Sequence, residues 1–182
     1  MIDKPTLDAF LEKADKLCKE SAKTHFYEDC VLTLFFMKYV SDLYDAQVAA
    51  YRQKFPDDPE TAAFEIKRMR WIVFDNSSFS WFYQNRDQEN VVELIKAGLA
   101  RYGGNVTNDG TMFSTMLAVN LYNVSEQLSG EDTEVVRQIL DLIAPLDLSG
   151  KEEFDVMGYV FDHFRHWPYA SCSFASDLIF VF

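Results

Sequence analysis

The feature that most constrains the fold is an apolar run in the first third of the chain, VLTLFFMKYVSDLYD at residues 31–45. Its first seven residues are apolar except Thr33, and Lys38 and Asp42 then interrupt it. A helix that spans a membrane needs about 20 predominantly apolar residues. We therefore predict that this run does not cross a membrane and that no partner of the chain is a membrane.

The spacing of the same run favours a helix over a strand. Apolar side chains recur at intervals of three and four residues and fall on one helical face: Leu32, Phe35, Phe36, Tyr39 and Leu43. Further apolar residues widen that face until little polar surface remains: Val31, Leu34, Val40 and Tyr44. A helix that is apolar nearly all round is buried among other elements. The run is therefore predicted to be the central helix of a bundle.

Similar spacing elsewhere predicts a mainly α fold, a compact helical bundle. Thr6 is expected to cap the first helix, and Gly103 and Gly104 are expected to end the helix over 88–101. A short extended or hairpin element is predicted near 71–82, where β-branched and aromatic residues precede a turn-like sequence. The remaining helices are predicted near residues 7–18, from Glu60 onwards, and over 116–128, 133–143 and 154–164.

Length and cysteine content indicate one domain in a reducing compartment. The chain has 182 residues, of which 48% are hydrophobic, enough for one core without covalent cross-links. Its three cysteines, Cys18, Cys30 and Cys172, are an odd number. Acidic residues interrupt any signal-peptide core near the N-terminus. We therefore expect free thiols and a cytoplasmic protein.

The negative charge is concentrated in one segment. The formal net charge is -12, and residues 126–162 contain ten acidic residues but only two basic ones. Such a segment repels the phosphates of DNA. Two interpretations remain open, a solvated helix face that favours solubility or a surface for a basic partner.

A search for chemical motifs assigns no catalytic, cofactor-binding or metal-ligating residue. The sequence has no Gly-x-Gly, no phosphate-binding loop and no Pro-Pro pair. His163 and His166 have a spacing that metal sites use, and Asp162 and Cys172 are nearby, but only three histidines exist in the chain. Surface histidines near a helix end are the simpler interpretation, so no metal, cofactor or catalytic site is predicted.

The order of the motifs resembles a known family. LDAFLEKADKLC at residues 7–18, followed by the central run, is similar to the N-terminal helical domain of the methylation subunit of type I restriction-modification systems. An L-x-x-A-D-x-L-R helix in that family corresponds here to Ala14, Asp15 and Leu17, with Cys18 at the arginine position. The family's F-L-K-Y-I-S-D element corresponds to Phe36, Met37, Lys38, Tyr39, Val40, Ser41 and Asp42. Four later stretches follow in the same order: FSWFYQ, VVELIKAGL, VVRQILDLIAPLDLS and DVMGYVFDHF.

The resemblance covers roughly residues 7–164 and implies a role in DNA methylation. In the family, this helical domain leads into a catalytic α/β domain that binds S-adenosylmethionine and methylates adenine N6. Neither an Asn-Pro-Pro-Phe motif nor the family's G-E-F-Y-T-P-like entry occurs here, so no catalytic or cofactor residue can be transferred. We predict a helical domain over 1–164, a tail over 165–182 that departs from the family pattern, no catalytic domain and no activity of the chain alone.

The implied partners are those of the family complex. They are the specificity subunit, a second methylation subunit and the restriction subunit, with DNA bound mainly through the complex. Lysines on the first helix could add a direct DNA contact: Lys13, Lys16, Lys19 and Lys23. A competing class is a stand-alone acidic interaction protein, such as a DNA mimic or inhibitor. The apolar residues 178–182 are expected to fold back onto the bundle or to mediate self-association.

Overall fold

The computed structural model describes residues 2–69, 73, 75–106, 121–150 and 154–164, with the backbone alone for 102–106. Every regular element in these ranges is helical, which confirms the prediction of a mainly α, compact helical fold. The predicted tail over 165–182, including Cys172, His166 and the apolar residues 178–182, lies outside the described residues.

Eight α-helical segments follow one another in the described ranges. They are α1 (Lys4–Lys19), α2 (Thr24–Lys54), α3 (Pro59–Lys67), α4 (Phe79–Gln84), α5 (Val91–Val106), α6 (the helical residues 121–127), α7 (Thr133–Ile143) and α8 (Val156–Phe164). Short 3-10 turns at Asp75–Ser77 and Gly130–Asp132 precede α4 and α7.

Side-chain caps explain where α1 and α3 begin. Asp3, not the predicted Thr6, caps α1, because its carboxylate accepts a hydrogen bond from the Thr6 N–H at 2.9 Å. Asp58 caps α3 in the same way, with its carboxylate 3.0 Å from the Thr61 nitrogen. This cap starts α3 at Pro59, one residue before the predicted start, because proline is well tolerated in the first turn of a helix.

Two further local predictions were wrong. The glycines Gly103 and Gly104 do not end α5, which continues to Val106, because a glycine inside a helix costs only about 1 kcal/mol. The second half of the extended element predicted near 71–82 is helical, since residues 75–77 form a 3-10 turn and Ser78 caps α4. In the first half of that element, residues 71, 72 and 74 lie outside the described part.

Helix α2 is the centre of the bundle, as its sequence predicts. Each of α1, α3, α4, α7 and α8 packs against it. Phe35 and Phe36 are both 0% exposed, and the Phe35 ring stacks on that of Phe10 from α1 with centroids 5.4 Å apart. Within the described ranges, no helix combines the length and the apolar character that a bilayer span requires.

The second half of α2 and helix α3 form a helical hairpin that we call the arm, residues 42–54 and 59–67. No residue of α2 beyond Ser41 is buried, although Tyr44 still packs against the core. Helix α3 packs back along it and buries Ala62, while Phe64 is 58% exposed. The arm therefore presents more surface than the rest of α2.

A close approach between α4 and α5 makes Gly98 sensitive to substitution. A Cβ atom at this position would meet the ring of the fully buried Phe82, lying 2.6 Å from its Cε1. We expect Gly98→Ala to lower the free energy of unfolding by about 2 kcal/mol, because the ring must move within a packed core. The better helix propensity of alanine offsets about 1 kcal/mol of the larger steric cost.

Urea unfolding of Gly98→Ala beside Gly130→Ala is the measurement. Gly130 is the matched control, because no atom lies within 4 Å of a Cβ built there. We expect the control to be as stable as the parent chain or slightly more stable. Equal stability of the two variants would contradict the packing of α4 on α5.

Candidate functional site

Three polar residues of the α2 stretch on which the predicted resemblance rests, Lys38, Ser41 and Asp42, form one contact site. The Lys38 ammonium pairs with the Asp42 carboxylate one turn later, and the two side chains are only 12% and 19% exposed. The same carboxylate accepts a hydrogen bond from the Leu148 N–H at 2.9 Å. Asp42 thereby attaches the segment after α7 to the middle of α2.

Ser41 makes the corresponding contact to α4. Its hydroxyl oxygen accepts a hydrogen bond from the buried Phe79 N–H at 2.9 Å, where α4 begins. The Lys38 ammonium lies 5.8 Å from the centroid of the Phe79 ring. We call Lys38, Ser41 and Asp42 the α2 joint, because together they attach α4 and residue 148 to the central helix.

The chemistry of the α2 joint is structural. Each of its side chains is engaged with another part of the chain, and Asp42 already bonds an ammonium and a backbone N–H. Partly buried charged groups persist when they are paired and hydrogen-bonded. The joint therefore sets the relative positions of α2, α4 and the connection that leads to α8.

A second cluster joins the start of α2 to the start of α7. We call Lys23, Tyr27, Ser129 and Asp132 the Asp132 cluster. The fully buried Asp132 carboxylate accepts hydrogen bonds from the Lys23 ammonium at 2.8 Å and the Tyr27 hydroxyl at 2.9 Å. Its other oxygen accepts from the Ser129 N–H and hydroxyl, both at 2.9 Å.

Hydrogen bonding keeps the buried Asp132 ionised. Burial favours the neutral acid, but the bonds from Lys23, Ser129 and Tyr27 outweigh it and hold the pKa of Asp132 below its usual value. Burial and the bond to Asp132 raise the pKa of Tyr27, so its hydroxyl remains a donor. All four polar groups are matched, so the cluster fixes α7 on α2 and holds no group poised for proton transfer.

The surroundings of both cysteines in the described ranges disfavour the reactive thiolate form. Cys18 and Cys30 are buried and free. Burial raises the pKa of Cys18 to about 12, and it also raises the pKa of Cys30. The thiolate is the nucleophilic form of cysteine, so protonated thiols at these positions are packing residues.

His163 has a structural contact on α1. Its Nε2 lies 3.2 Å from Oδ1 of Asp15, and the nearby Tyr159 hydroxyl donates to Asp8 at 2.6 Å. These contacts attach α8 to α1. His166 and Cys172, considered with His163 as metal ligands, lie outside the described residues. Within the described ranges, no group of three His, Cys, Asp or Glu side chains could hold a metal ion.

The lysines considered for DNA contact do not form a uniform basic face. Lys19 pairs with Asp15 at 3.3 Å, and Lys23 belongs to the Asp132 cluster. Lys13 and Lys16 are exposed on α1. Half of the candidate set is thus neutralised by carboxylates of the chain itself.

The acidic segment 126–162 is also partly engaged. Asp132 is buried, Asp141 lies 3.0 Å from the Arg86 guanidinium, and Asp155 accepts a hydrogen bond from the Gly158 N–H at the start of α8. Exposed acidic residues of the segment include Glu126, Glu131, Glu134 and Asp162. Glu152 and Glu153 lie outside the described residues. The described acidic residues therefore combine a solvated face with structural contacts.

The Asp132 cluster was not predicted, although the sequence carries a signal for part of it. Ser129 and Asp132 are three residues apart just before an apolar helix, which is the pattern of a capping box, and the structure contains that box. The contribution of Lys23 and Tyr27 has no local signal, because they lie more than 100 residues away in the chain.

Comparison of the chain with protein-family models, curated protein sequences and solved structures found no match.

Proposed function

We propose that this chain is the non-catalytic N-terminal helical domain of a type I restriction-modification methylation subunit. In that role, residues 1–164 assemble with a specificity subunit, a second methylation subunit and the restriction subunit, and help to close the complex around DNA. The complete protein methylates adenine N6 in the cytoplasm with S-adenosylmethionine. The proposal rests on the order of the family-like motifs in the sequence and on the contacts that one of these motifs makes in the structure.

The observation that carries the proposal is the α2 joint. Lys38, Ser41 and Asp42 are family-like positions, and they attach α4 and residue 148 to the central helix. Residues with that task define how the helices are arranged, so a likeness at these positions supports a likeness of fold. A motif of the same length on the surface would give much weaker support for a shared fold.

The absence of the family's cofactor-binding unit from the described residues supports a non-catalytic role. Binding of that cofactor in the family implies a strand, a glycine-rich turn and a helix in an α/β domain. The described elements are all helices, and the sequence contains no Gly-x-Gly. We therefore assign cofactor binding and methyl transfer to the family's catalytic domain, to which no stretch of this sequence is similar.

The charge distribution favours assembly over direct DNA binding. Exposed carboxylates on α6 and α7, such as Glu126 and Glu134, would repel phosphates. The lysines considered for DNA contact offer limited compensation, because Lys19 on α1 and Lys23 at the start of α2 are paired with carboxylates. Contact with DNA is accordingly assigned mainly to the partners.

The competing function, a stand-alone acidic protein that mimics DNA, has less support. A mimic needs carboxylates spaced like phosphates across one surface. Asp132 is instead buried, while Asp141 pairs with Arg86 and Asp155 caps α8. Acidic residues committed to internal contacts are expected of a structural domain.

Cofactor titration tests the non-catalytic part of the proposal. We expect no saturable binding of S-adenosylmethionine to the isolated chain by isothermal titration calorimetry at micromolar concentrations. We also expect no transfer of labelled methyl groups to DNA, because the described elements include no strand, glycine-rich turn and helix unit of the kind that binds the donor in the family. A complete type I methyltransferase, titrated in the same buffer, is the positive control. Saturable micromolar binding to this chain would contradict the assignment.

A further inference from the structure

We draw no further inference here: the strongest candidate, the outer surface of the arm around the exposed Phe64 on α3, carries nothing because no feature of the described residues shows what covers it.

Discussion

Replacement of Phe36 by alanine is expected to lower the free energy of unfolding by about 3–5 kcal/mol, and replacement of Phe35 by a similar amount. Both side chains are 0% exposed and lie in the centre of α2, where other helices surround them. Truncation removes the transfer free energy of a buried ring and leaves a cavity that a close-packed core fills only in part. Equilibrium urea unfolding of each variant measures the loss.

Phe64→Ala is the matched control for this experiment. It removes the same side chain from an exposed position on the arm, so we expect a change of less than about 1 kcal/mol. Losses below about 1 kcal/mol for both Phe35→Ala and Phe36→Ala would mean that the core lies elsewhere. A small effect in the control together with large effects in α2 supports the central position of this helix.

Asp132→Ala is expected to destabilise the fold by about 3 kcal/mol, because it leaves buried donors of the Asp132 cluster without an acceptor. The Tyr27 hydroxyl and the Ser129 N–H both lose their partner, and the attachment of α7 to α2 weakens. Glu131→Ala, a change of the exposed neighbouring carboxylate, is the control and should stay within about 0.5 kcal/mol of the parent. Equal stability of the two variants would contradict the cluster.

The contribution of the Asp132 carboxylate to the free energy of unfolding depends on pH with a defined sign. The pKa of Asp132 is lower in the folded chain than its ordinary value of 3.8, so its ionisation stabilises the fold fully above that value. The contribution is lost as the pH falls below 3.8 and through the folded pKa. The stability difference between the parent chain and Asp132→Asn should therefore be constant near neutral pH and shrink in acid. A difference that grows in acid would contradict an ionised, hydrogen-bonded Asp132.

The spacing of apolar residues predicted the helices whose buried face is a regular stripe in the sequence. In α7 the predicted apolar positions are all buried, namely Val136, Ile139, Leu140 and Ile143. The start of α2 was harder to predict from the sequence, because residues 24–30 have no continuous apolar stripe. Tyr27 and Cys30 are nevertheless buried there, and Tyr27 bonds to Asp132, which is distant in the chain.

Only one polar contact of the α2 joint could be predicted from spacing. The Lys38–Asp42 pair is local and follows from an interval of four residues on a helix. The partners of Ser41 and Asp42 are backbone groups 38 and 106 residues away. A backbone N–H has no side-chain signature in the sequence, so only the folded chain identifies Phe79 and Leu148 as the donors.

Reconstitution of methylation tests the central claim most directly. The chain is mixed with the specificity subunit and the catalytic methyltransferase segment from the same genome, and transfer of labelled methyl groups to adenine is measured with and without it. The account predicts that the chain co-elutes with these partners in size-exclusion chromatography and that methylation requires it. Elution of the chain alone, together with methylation that is unchanged by its omission, would contradict the account.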